Sequence, residues 1–142
     1  MASNTAPKTV LLKGQPAAYE AEAAGAITPG MLLLLNSSGK VIAHNGAAAV
    51  NVPALFAREL EFAGGSLEED YASGDLVPYW HCRPGDMVYA LLEMGANVAV
   101  GALLESNGAG ALQAVTAGIA VVQAMEAVDA TAAIKRIKVR VI

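Results

Sequence analysis

Tyr71 to Gln113 reads YASGDLVPYWHCRPGDMVYALLEMGANVAVGALLESNGAGALQ, and the fold turns on it. Short apolar runs alternate with turn signals: Ser73-Gly74-Asp75, Arg83-Pro84-Gly85-Asp86, Gly95-Ala96-Asn97 and Asn107-Gly108-Ala109-Gly110. Between them lie Leu76–Cys82, Met87–Glu93 and Val98–Glu105, each of strand length and rich in Val, Leu, Tyr or Trp. Gly, Asp, Asn and Pro at this spacing predict antiparallel strands in a meander or small barrel. The expected class is therefore mainly β with little helix. Nothing in the stretch supplies a nucleophile, a base or a metal cage.

Downstream, Gly118–Met125 reads as a core strand and Glu126–Ala133 as a turn region. Arg136–Val141 alternates Ile137, Val139 and Val141 with Arg136, Lys138 and Arg140. That pattern is a half-buried strand with a basic outer face, whose cations would also blunt an exposed edge. Upstream, Ile27-Thr28-Pro29-Gly30 suits a type II turn, Met31–Leu35 is a buried run, Asn36–Gly39 is a hairpin connection and Lys40–His44 is the return strand. That hairpin recurs. Gly30, Leu32, Leu33, Asn36 and Gly39 match Gly101, Leu103, Leu104, Asn107 and Gly110 at the positions that define turn and core, suggesting one hairpin used twice. Ala17–Ala26 is alanine-rich but too short for a stable helix, and is read as irregular or a short strand. Ala54–Phe62 suits a helical turn or a strand; Gly46–Pro53 and the acidic Gly64–Asp70 read as loops.

The first 16 residues hold Pro7, Gly14 and Pro16 around Thr9-Val10-Leu11-Leu12, which favours an extended course. The segment is either a frayed terminus or an arm that adds a strand to a neighbouring sheet edge. The expected organisation is an arm, residues 1–16, and one β-rich domain, residues 17–142.

Composition narrows the partners. Hydrophobic residues make up 55% of the 142, charged ones 15% and aromatics 5%. Small alanine and valine side chains bury little area each at about 25 cal/mol per Å², so some apolar surface is expected to meet another subunit. A net charge of −4 argues against a general nucleic-acid binder. No apolar run has the length of a membrane span, and MASNTAPKTV lacks an apolar export core. Acidic residues gather in the middle (Glu59, Glu61, Glu68, Glu69, Asp70, Asp75), whereas Lys135, Arg136, Lys138 and Arg140 crowd the last strand.

Candidate chemistry is thin. His44, His81 and Cys82 are the best ligand types, but His81 and Cys82 are neighbours that point to opposite strand faces. Glu68-Glu69-Asp70 lacks the spacing of a calcium loop. No catalytic, metal or cofactor residues are assigned, and an enzyme is not expected. Tyr79 and Trp80 are also adjacent, so one faces a core and the other an interface or water; both are candidate subunit-interface residues.

The ordered run Tyr71–Val77, Arg83–Leu91, Gly95–Gly108, Ala124–Asp129 and Arg136–Val141, with the Ile27–Gly30 turn and Pro53–Ala57, resembles the head decoration (cement) proteins of tailed bacteriophages. That resemblance implies a mostly β protein that trimerises outside the mature capsid, made in the host cytoplasm and carried on the virion. Its partners would be the major capsid protein and its own copies, with no nucleic acid and no membrane. It also implies an N-terminal arm joining a capsid-protein sheet, for which Thr9, Val10, Leu11 and Leu12 are the candidates. The rival expectations are a β-barrel ligand-binding module or a tail or spike component.

Overall fold

The computed structural model describes residues 7–45, 53–60, 66–116 and 118–142. The regular elements among them are all strands: β1 (Leu11–Lys13), β2 (Ala17–Glu22), β3 (Leu32–Leu35), β4 (Val41–Ala43), β5 (Ala54–Ala57), β6 (Leu76–Cys82) and β7 (Met87–Leu92). They continue with β8 (Asn97–Val98), β9 (Leu103–Ser106), β10 (Leu112–Ala114), β11 (Val122–Ala124), β12 (Val128–Asp129) and β13 (Lys135–Val141). The expected mainly-β barrel class is what the structure shows. Most of the Gly46–Pro53 loop and residues 61–65 lie outside the described residues.

Strands β7, β10, β9, β11 and β13 pair in that order, and β13 pairs again with β7, closing a five-stranded barrel. The alternation read in the sequence sets its inside: Ile137, Val139 and Val141 are buried with Ala90, Leu92, Leu104, Leu112 and Val122. Because β13 is paired on both sides, its cations cap no open edge, contrary to the expectation above. Strands β2, β6, β5, β3 and β4 form a second sheet, and a parallel bridge between Ala23 and Val41 brings its two ends together. The run Val98–Glu105 is not one strand. A turn bonded from Ala102 N to Ala99 O, with Gly101 at φ +88°, separates β8 from β9.

These two barrels are one unit used twice. Leu32 opposite Phe56 in the first is matched by Leu103 opposite Gln123 in the second, and Leu33 opposite Ala43 by Leu104 opposite Ala114. The pairing of β5 with β6 is repeated by β11 with β13, and that of β2 with β6 by β7 with β13. The closing bridge Ala23–Val41 recurs as Leu92–Leu112. Hydrogen bonds repeat with the registers: Gly30 N to Ala57 O and Gly101 N to Ala124 O are both 2.8 Å. Asn36 Oδ1 accepts from the amides of Ser38 and Lys40, and Asn107 Oδ1 accepts from those of Ala109 and Ala111. Asparagine fits both turns because its side chain replaces a main-chain acceptor, and Gly39 and Gly110 supply the positive φ that follows. The hairpin legible in the sequence is thus the best-preserved part of a whole duplicated barrel.

The barrels are joined along one face. In β5, Leu55 and Ala57 point into the first barrel's core, whereas Ala54 and Phe56 join the core cluster of the second. All four are buried, which is why this strand reads as a continuous apolar run. Leu32 and Cys82 also lie on the outward side, and burying Leu32 and Phe56 contributes about 1.5–3 kcal/mol each. Main-chain bonds stitch the seam: Leu32 N to Gly110 O at 2.9 Å and Gly110 N to His44 O at 3.2 Å.

Candidate interaction surfaces

Polar anchoring at the seam rests on two long side chains. Arg136, on the outward face of β13, donates from Nη1 to Pro29 O and from Nη2 to Leu67 O, each at 2.7 Å. Its Nε lies 4.0 Å from Glu68 Oε1, an exposed carboxylate, so that ion pair adds little. Burial pulls the guanidinium pKa down and Glu68 pushes it back; arginine stays a cation regardless. A groove of about 550 Å³ runs beside it, lined by Thr28, Met31, Tyr89 and Ile134 among others. Glu59, buried just after β5, accepts the Val10 amide at 2.7 Å.

The segment proposed as an arm is therefore tied down as placed. Thr9 Oγ1 donates to Leu11 O, Val10 is fully buried, and Leu11 and Leu12 are half-buried. Leu11 lies opposite Val88, and Tyr89 N donates to Val10 O at 2.7 Å, so β1 runs along the edge of β7 in its own chain. Tyr79 and Trp80 face opposite ways, as neighbours in a strand must. Tyr79 is buried in the first barrel, its ring stacked on Tyr19 at 5.8 Å. Trp80 turns toward the seam, packs against the second barrel's core and carries the Arg58 guanidinium 4.3 Å above its ring.

The candidate ligand types are dispersed. His44 is buried at the seam, where desolvation lowers its pKa and keeps the ring neutral near pH 7. Cys82 is buried, and desolvation followed by the nearby Asp86 charge pushes its thiol up to about 12. His81 sits on β6 opposite Ala17, with Tyr19 across the sheet. Among the described residues no group of three or more His, Cys, Asp or Glu is arranged to hold a metal. Glu105, buried in β9, accepts from Thr116 N at 2.6 Å, Gly118 N and Gln113 Nε2. Those bonds, the Thr116 amide first, hold its pKa below the usual carboxylate range. Glu59, Glu105 and Arg136 went unassigned in the sequence because their spacing matches any solvated charge; only the seam and the β10–β11 loop give them main-chain partners.

With the geometry in hand, this fold has a counterpart. A solved structure, the N base of head fiber gp8.5 of bacteriophage phi29, superposes at a TM-score of 0.58, covering 90% of this chain and 95% of that one. Identity is 12%, so the likeness is one of fold. No protein-family model matches the chain, and no curated protein matches it.

Proposed function

We propose that this is a non-enzymatic structural protein of a tailed-bacteriophage virion that mounts on the outside of the mature head. As a trimer it braces the major capsid protein lattice against internal DNA pressure. The observation that carries the reading is the fold match, which spans nearly the whole of a head fiber base; the ordered strand-and-turn resemblance to head decoration proteins points the same way. The deployment of buried polar groups supports it. Glu59, Glu105 and Arg136 spend their oxygens and N–H groups on main-chain atoms that fix one repeat or join two. Repeated weak contacts on a lattice would make such a protein hold firmly through multivalency.

The test is co-sedimentation of the full chain with expanded capsid shells, followed by electron microscopy of the pellet. Saturable binding on the outer surface, at threefold positions, and shells that survive heating better with protein bound are the expected results. No binding to any expanded shell would overturn the proposal. A second chain lacking residues 1–6 leaves β1 on β7, and weaker binding by it would assign the capsid contact to the segment before Pro7.

A further inference from the structure

The duplication exposes two surfaces that the chain itself shows to be complementary. The first barrel presents an outer face, around Gly30, Leu32 and Cys82, to the β1–β7 side of the second barrel. Each barrel carries a copy of both faces, so the second barrel's copy of the outer face and the first barrel's copy of the receiving side are left over. Equivalent residues differ accordingly. Leu32 is 0% exposed and its mate Leu103 47%; Cys82 is 6% and its mate Ile142 50%; on the receiving side Leu91 is buried and Arg136 is bonded across the seam, whereas their mates Glu22 and Leu76 are exposed, Leu76 at 55%. Turn glycines report the same asymmetry. A Cβ on Gly30 would lie 2.6 Å from Arg136 Nη1, and one on Gly110 3.1 Å from Met31 Sδ. Their mates Gly101 and Gly39 face only Gln123 Nε2 at 3.9 Å and open space.

We infer that a second copy of this chain occupies these faces, head to tail. The open outer face of one second barrel (Val100, Leu103, Ile142) docks on the open β2–β6 side of another copy's first barrel, around Leu76 and Glu20, repeating the seam within each chain. Val100, Leu103, Ile142 and Leu76 are large, apolar and exposed, on two faces whose counterparts bury one another. Charge agrees with the pairing: Arg140 is exposed on the first face, and Glu20, Glu22 and Asp75 on the second. Such a contact is heterologous, so it generates a ring where the rotation closes and a filament where it does not. A closed ring of three is the trimer proposed above. Another ring size refutes that stoichiometry and leaves this contact standing.

Sedimentation velocity on the full chain, with Leu103→Asp and Leu76→Asp, tests the assignment. Wild type is expected to self-associate. Either substitution should weaken association on the order of 100-fold, as for a charge placed at a central apolar anchor. The deciding sample is the equimolar mixture. Each variant keeps one good face, so two individually monomeric variants should combine into a heterodimer and stop there. A wild type that stays monomeric at high micromolar concentration overturns the inference. So does self-association that survives either substitution, or a mixture that forms no heterodimer. The milder Leu103→Ser and Leu76→Ser carry the same test where an aspartate variant fails to fold.

Discussion

Gly30→Ala and Gly101→Ala place the same methyl group in the same turn of the two barrels, and the seam should make their costs unequal. Gly30 has φ +93° and Gly101 φ +88°, so each substitution forces an L-residue into a left-handed region at a common cost of about 1–2 kcal/mol. At Gly101 that is nearly the whole penalty, because the added carbon meets nothing closer than 3.9 Å. At Gly30 it would sit 2.6 Å from Arg136 Nη1 and 2.9 Å from Tyr89 O. The first atom is held by its bond to Pro29 O and the second is backbone, so neither can yield without loosening the seam. Overpacking of that kind adds about 1–3 kcal/mol, and a strained Arg136 bond adds about 1 more. Gly30→Ala should therefore cost about 2–4 kcal/mol beyond Gly101→Ala, a further fall in Tm of roughly 6–16 °C for a chain of this size. Calorimetry on dilute protein, where copies have separated, measures both. Equal shifts, or a larger one at Gly101, would refute the account of the seam. Gly39→Ala and Gly110→Ala are the mirrored control, with Gly110 expected to be the costly one.

Other expectations follow from buried polar groups. Glu59→Leu strands the Val10 amide, at about 1–3 kcal/mol, and should speed hydrogen exchange across Val10–Lys13 by tenfold or more, read by mass spectrometry. Alkali should unfold the protein through Cys82 and Tyr71. Burial holds each near 12 when folded, against ordinary values of 9.0 and 10.0, so the unfolded chain loses its protons first. The loss sets in above pH 9 for Cys82 and above pH 10 for Tyr71, at about 1.4 kcal/mol per pH unit per group until the folded value near 12 is reached, and Cys82→Ser should delay the onset in denaturant titrations. Glu105 has the opposite sign. Its folded pKa is lowered, so its contribution is present above its ordinary value of 4.5 and fades as pH falls below it. Glu105→Gln should lower stability at pH 7 and flatten the acid limb of the same titrations.

Much of the strand map could be read from local chemistry. Asp75 and Asp86 accept amides three residues back, Asn36 and Asn107 cap their own turns, and each turn sits between apolar runs, so the hairpins declare themselves. Alternation in β13 gives its buried face directly. What stayed hidden was the second use of the barrel outside one hairpin. Core positions need only be apolar, so Val77 and Tyr79 of the first barrel stand where Ile137 and Val139 stand in the second, with no identity to betray it. Strand β2 was obscured differently: its AAYEAE is mostly exposed and its order comes from pairing with β6, a long-range contact without local signature. The seam was least legible, since Leu32 and Leu103 are the same residue and only the fold decides that one is covered. For the candidate site, the adjacency of Tyr79 and Trp80 already fixed that they face apart, but which faces the seam depends on register.

Order of synthesis matters for a seam built this way. The first barrel has all its strands once Cys82 is made, but the surface that will cover Leu32, Ala54 and Phe56 depends on β13, ending at Val141. At about 5–20 residues per second of translation, those apolar side chains wait roughly 3–12 s for their cover. During that interval the nascent chain presents a sticky flank to its neighbours on the same polysome, and holdase chaperones would find it there.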